Sequence, residues 1–191
     1  MPDEGANKPA ITTDTIKSMV HAMAIPHRSS VEPMGATLMT GKFRFMAFSP
    51  GFSMHSVDVT ELENSVHSSE ISPCISLNVL LEGHLNFSLG HKHFQIDASD
   101  RPKCFALITN QQEILTRHTQ SGVAVCKINL KADKAWLLQR SAAKIDREEL
   151  HHVFTYSPGV HNWPAQQDIC RVAESLLKAS HKDSLDSKLR L

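Results

Sequence analysis

The chain has 191 residues, 41% of them hydrophobic, enough for one core with appendages and too few for two full-sized domains and a linker. With 20 Lys and Arg against 20 Asp and Glu it lacks the basic excess that a nucleic-acid-binding domain uses to neutralise phosphates. Cys74, Cys104, Cys126 and Cys170 form no CxxC pair, Met1-Pro2-Asp3-Glu4-Gly5 is not a signal peptide, and no stretch approaches the roughly 20 apolar residues of a membrane span. A soluble, reduced, cytoplasmic protein with no membrane partner is expected.

Residues 1 to about 12 are polar and carry Pro2, Gly5 and Pro9, so a loose tail is expected. Ile16, Met19, Val20 and Met23 then recur at helical spacing between a Thr13/Asp14 start and Pro26, which predicts a short amphipathic helix. From Phe43 to about Leu130 the rhythm changes to alternating apolar and polar runs, about nine of them, broken by Pro, Gly, Asn or Ser-rich turns. The runs are Phe43–Phe48, Ser53–Thr60, Ser65–Ile71, Ile75–Leu81, His84–Leu89, His93–Ile96, Cys104–Ile108, Gln112–His118 and Val123–Leu130. Ile75–Leu81 and His84–Leu89, joined only by Glu82-Gly83, read as a hairpin with a tight turn.

After Leu130 the period becomes helical. Trp136 and Leu138 mark one helix, and Asp146 and Glu149 have the spacing of a capping box at the start of another. The longest helix is expected to start at Pro164 and to carry a stripe of Ile169, Val172, Ala173, Leu176 and Leu177. The segment 183–191 begins a further cap and apolar repeat, so the natural protein is expected to continue.

This order of elements, with Phe48-Ser49-Pro50-Gly51-Phe52-Ser53-Met54-His55-Ser56-Val57-Asp58-Val59-Thr60 and Ile75-Ser76-Leu77-Asn78-Val79-Leu80-Leu81-Glu82-Gly83-His84-Leu85-Asn86-Phe87-Ser88-Leu89-Gly90, resembles the amino-terminal domain of AraC-type bacterial transcription regulators. The second segment is the more specific. The resemblance covers roughly residues 43 to 191. It implies a mainly β fold: a cupin-like antiparallel β-barrel, a double-stranded β-helix or jelly roll, followed by helices that a pair such as Trp136-Leu137 opens. Three parts follow: a tail and short helix over 1–37, a barrel over 38–132 and a helical segment over 133–191. The resemblance also implies a small-molecule effector in the barrel, a homodimer, and contact with DNA only through a carboxy-terminal helix-turn-helix part that this sequence has neither the room nor the charge to hold.

The 12 histidines invite a metal reading, but the spacing argues against it. His91-x-His93 falls at a predicted turn, and His55-x-x-Asp58 would put its two ligands on opposite faces of a strand. No metal or cofactor is expected. His55 is a candidate polar anchor for the effector, against an ordinary strand histidine bonded to a carbonyl or water. Asn78, Asn86 and Ser88 form the polar face of the expected hairpin, opposite Leu77, Val79, Leu85 and Phe87, and are ligand-binding candidates if that face is inside; solvent is the competing fate.

Glu82-Gly83 reads as turn chemistry and His151-His152 as a helix end. Ile169, Val172 and Leu176 are candidates for a dimer interface, with core packing as the alternative. No phosphate loop, Gly-x-Ser-x-Gly or Cys–His arrangement asks for catalysis, so the protein is expected not to be an enzyme. Two rivals to the regulator reading stand: a metal-dependent cupin enzyme of the dioxygenase or isomerase type, and a dimerisation module whose barrel binds nothing.

Overall fold

Strands with one apolar face must bury it, and here two sheets bury theirs against each other. The computed structural model describes residues 9–22, 27–29 and 36–180. The chain runs β1 (Ala10–Thr12), α1 (Thr13–Ala22), β2 (His27–Ser29), β3 (Thr37–Ser49), β4 (Phe52–Glu61), β5 (Ser65–Ile71), β6 (Cys74–Glu82), β7 (His84–Leu89) and β8 (Lys92–Asp97). It continues with β9 (Lys103–Thr109), β10 (Glu113–Thr119), β11 (Ala124–Asp133), α2 (Lys134–Arg140), α3 (Lys144–Tyr156), β12 (Gly159–Pro164) and α4 (Gln167–Ser180). All nine runs expected between Phe43 and Leu130 are strands, β3 to β11.

One sheet has seven strands in the order β1-β3-β4-β11-β6-β9-β12 and the other five in the order β2-β5-β10-β7-β8. The facing quartets β4-β11-β6-β9 and β5-β10-β7-β8 have the strand order of a jelly roll, the fold class expected from sequence.

The expected hairpin is not one. β6 pairs with β11 and β9, and β7 pairs with β10 and β8, so Glu82-Gly83 carries the chain from one sheet to the other. Alternation reports which residues share a face of a strand; it does not report the strand's partner.

Other boundaries moved for similar reasons. Ala10–Thr12, expected in the loose tail, pair with β3 and bury Ile11, while residues 1–8 lie outside the described residues. Thr12 Oγ1 accepts from the Thr15 amide at 3.3 Å and so caps α1. Pro164 ends β12 rather than opening a helix, because Gly159–Pro164 pair along β9 and return the chain to the barrel within the segment expected to be helical. Asp146 is no cap: α3 starts after Ala143, which makes no side-chain cap bond, and Asp146 sits in the first turn, where a carboxylate suits the positive helix end. The repeat over 183–191 lies outside the described residues.

Helices α3 and α4 dock on the outside of the larger sheet. Ala173 and Leu177 of α4 are buried against Met54 of β4 and Ile128 of β11, with Met46, Val79 and Leu130 around them. Phe154 of α3, 1% exposed, packs on Ala106 and Ile108 of β9. Among the described residues no helix is long and apolar enough to cross a membrane.

Candidate ligand cavity

The interior of the barrel is filled at one end only. Val59, Leu80 and Val125, each 2% exposed or less, plug the end where β4 finishes and β11 begins. Toward the opposite end, where Phe52 lies beside Ser49 and Ala132, and Cys74 beside Asp133, the side chains part around a cavity of about 690 Å³. That volume is within the range of small-molecule sites. Its apolar wall includes Phe43, Phe45, Phe52, Phe87 and Phe105, and its rim is Ser49-Pro50-Gly51.

A polar row crosses this wall. The registers set Phe45 opposite His55, His55 opposite Asn129, Asn129 opposite Asn78, and Asn78 opposite Phe105, so one line of inward side chains spans β3, β4, β11, β6 and β9. Directly opposed residues on one face of a sheet lie within reach of each other. Asn129 Nδ2 donates to Asn78 Oδ1 at 2.9 Å and to Ser76 Oγ at 2.6 Å, and Asn78 Nδ2 donates to the Ser76 carbonyl at 3.2 Å. His55 joins through a hydrogen bond with the Asn129 side chain. Burial, helped by the charge of nearby Lys127, pushes His55 down to about 3, so its ring is neutral near pH 7 and acts in hydrogen bonding alone.

Charge enters from two sides. Arg117 of β10 is ion-paired with Glu61, whose other carboxylate oxygen accepts the Gln120 amide at 3.1 Å. Lys131 of β11 pairs with Asp133 at 3.0 Å. Lys127 of β11 lines the cavity and has no hydrogen-bond or ion-pair partner among the described residues. Burial, then repulsion from Arg117, pushes its ammonium down to about 7, against the pull of Glu61.

Lys127 therefore costs stability at neutral pH and below. With a folded value under the unfolded one, the penalty is complete below about 7 and fades as pH rises toward the ordinary lysine value of 10.5. Lys127→Met is expected to raise stability by roughly 1–3 kcal/mol at pH 6.5, with the gain shrinking toward zero near pH 10. Urea unfolding of the two proteins at both pH values checks this.

The four residues expected to bind ligand divide. His55 and Asn78 meet at the cavity wall, joined by Asn129. Asn86 and Ser88 do not line it; the lining residues of β7 are Leu85 and Phe87. Ser88 Oγ instead bonds His93 Nδ1 at 3.2 Å, and Asn86 lines a separate polar hollow of about 310 Å³ with Glu61, His84 and His118. Sequence reasoning missed Lys127, Asn129 and Arg117. For Lys127 and Asn129 the signal was present in Val125-x-Lys127-x-Asn129-x-Lys131, which alternates with Cys126, Ile128 and Leu130, but a polar face is ordinarily assigned to water.

The α2 helix reaches the rim. Trp136 stacks on Phe52 with ring centroids 4.5 Å apart and donates from Nε1 to Ser49 Oγ at 2.7 Å, while Arg140 lies over the same indole at 4.2 Å. Of the expected dimer residues, Leu176 packs against the barrel, Ile169 is half-buried and Val172 is 60% exposed. His151 and His152 are exposed on α3, where His152 lies against Tyr156. Among the described residues no three His, Cys, Asp or Glu side chains come together as a metal site.

Residues 40–187 match a family of regulatory domains. The chain belongs to the family described as the regulatory protein PchR N-terminal domain, the amino-terminal domain of an AraC-type regulator. No curated protein matches the chain in sequence. Solved structures with a likeness include the cupin domain of Cnp3 from Schizosaccharomyces pombe, at 9% identity and a TM-score of 0.25, over 50% of this chain and 72% of that one. Another is GK1651 from Geobacillus kaustophilus, at 12% identity and a TM-score of 0.28, over 75% of this chain and 53% of that one.

Proposed function

We propose that this domain is the effector-sensing part of a transcription regulator, taking a small molecule into the barrel and passing its presence to the helices on the larger sheet. The observation that carries the reading is the 690 Å³ cavity, lined by aromatic rings and a hydrogen-bonded polar row, in a domain whose family is regulatory. Phe52 and Ser49 support the coupling, since both line the cavity and both hold Trp136 of α2. A ligand that favours one position of this rim over another shifts the balance between two arrangements of α2, as population shift requires. The reading includes a homodimer that uses α4, with Val172 on its free face, and DNA binding by a carboxy-terminal part of the full regulator.

A thermal-shift screen of small molecules tests the sensing step. A compound selective for the folded state, present at one hundred times its dissociation constant, adds ~2.7 kcal/mol. Compounds that bind must lose their effect when Ala47, on the cavity wall, is replaced by tryptophan. Effects that survive Ala47→Trp, or a broad screen with no shift at all, count against a sensing barrel.

A further inference from the structure

We infer that the cavity takes an amphipathic anion, a ligand with one carboxylate, phenolate or sulfonate group on a largely aromatic body, and that Lys127 is the residue that selects the charge. The inference rests on the reading of the cavity as a ligand site and adds the ligand's chemical class.

Two independent observations lead to it. The first is charge balance among the described residues facing the chamber. Arg117, Lys127 and Lys131 are the cations, and Glu61 and Asp133 the carboxylates near them. Both carboxylates are already taken, Glu61 by Arg117 and Asp133 by Lys131. His55 is neutral and adds nothing, and Lys127 is left as positive charge without a counter-ion. A buried ammonium is costly unless it is paired, and a fold that keeps one at a cavity wall gains most when the counter-ion arrives with the ligand.

The second is the layout of the wall. Lys127 sits on β11 one inward position from Asn129, so the charge adjoins the polar row of His55, Asn129 and Asn78. Phe43, Phe45, Phe87 and Phe105 supply apolar faces from β3, β7 and β9. One charged end, one hydrogen-bonding strip and several aromatic faces describe a ligand with a single anionic end and a flat apolar remainder. A neutral sugar would leave the ammonium without a counter-ion, and a polyanion would find, among the described residues, only this one unpaired cation.

Protonation gives the proposal a signature. The groups facing Lys127 are Arg117 of β10 and its partner Glu61 at the end of β4, His55 across β4, Lys131 and Asp133 on its own strand, and His67 on β5, which is hydrogen-bonded to Ser65 at 2.7 Å. Lys127, with its value near 7, is the one of these whose charge the ligand must hold in place. Anion binding then takes up a proton above pH 7, and apparent affinity falls about tenfold per pH unit there.

The probes are 1-anilinonaphthalene-8-sulfonate and N-phenyl-1-naphthylamine, which share an aromatic body and differ by the sulfonate. Fluorescence titration is done at pH 6.5 and 8.5 on the wild type, Lys127→Met and the cavity-filling Ala47→Trp. The wild type is expected to favour the sulfonate at least tenfold at pH 6.5 and to lose most of that preference at pH 8.5. Lys127→Met keeps the neutral probe and loses the preference, and Ala47→Trp loses both. Equal binding of the two probes, or a preference that survives in Lys127→Met or at pH 8.5, overturns anion selection while leaving the cavity as a ligand site. If neither probe binds the wild type, or both still bind Ala47→Trp, the ligand-site reading falls with it. The pH comparison uses the wild type alone, so it stands even if a variant fails to fold.

Discussion

Replacing Gly83 by alanine is expected to disrupt closure of the barrel, with a loss above about 3 kcal/mol, a large share of a small domain's stability. Gly83 has φ +89°, a backbone conformation in which a side chain costs roughly 1–2 kcal/mol by itself. Space makes it worse. An added Cβ would overlap the carbonyl oxygen of Ala124 and lie 3.0 Å from its carbonyl carbon, and these are backbone atoms at the start of β11 that cannot rotate aside. The chain cannot retreat either, since the Gly83 carbonyl accepts the Ala98 amide at 2.9 Å and the next residue already pairs in the other sheet.

Gly122→Ala is the control, because its φ is similar, +84°, and an added Cβ meets nothing within 4 Å. It should cost about 1 kcal/mol. Soluble yield and urea unfolding of the two variants give the comparison, and equal losses would refute the overlap argument.

Removing the Glu61 carboxylate is expected to cost roughly 3 kcal/mol, because Arg117 would be left facing the cavity next to Lys127 without a counter-charge. Glu61 is 3% exposed, and its loss also strips the acceptor from the Gln120 amide, in the turn that joins β10 to β11. Glu61→Leu with Arg117→Met removes both charges together and should recover most of the loss, since an apolar pair of similar size suits a barrel interior. Urea unfolding of the two single variants and the pair measures the coupling. A double variant no more stable than Glu61→Leu would show that Glu61 matters through its turn, with the ion pair contributing little.

The strands were legible because each has a half-buried face, and burial of one face forces the period of two that the sequence displays. Partners were not legible: Ile75–Leu81 and His84–Leu89 are adjacent in sequence and alternate cleanly, yet they stand in opposite sheets. Gly83 marked a bend, and only the rest of the barrel determines whether a bend folds back in one sheet or crosses to another.

The same gap divided the ligand candidates. A hairpin of Ile75–Leu81 with His84–Leu89 puts Asn78 on one face with Asn86; with β6 and β7 in separate sheets, Asn78 lines the chamber together with Leu85 and Phe87 while Asn86 does not. Lys127 and Asn129 were overlooked because polar residues at period two ordinarily meet water, and only a closed wall turns that face into an interior. Pro164 misled in the opposite way: a proline that suits a helix start also suits the end of an edge strand, and the backbone of β9 made that choice.

The two faces of β11 separate the chamber wall from the seat of α4. Lys127, Asn129 and Lys131 look into the chamber, while Cys126, Ile128 and Leu130, interleaved with them, carry α4 on the outside. Because neighbouring positions answer to different demands, the inward set is free to drift toward a new chemical signal while the outward set keeps the helix seated. On the proposed sensing reading, a lineage of such domains exchanges one ligand for another by a few substitutions on alternate residues, without rebuilding the scaffold that carries α4.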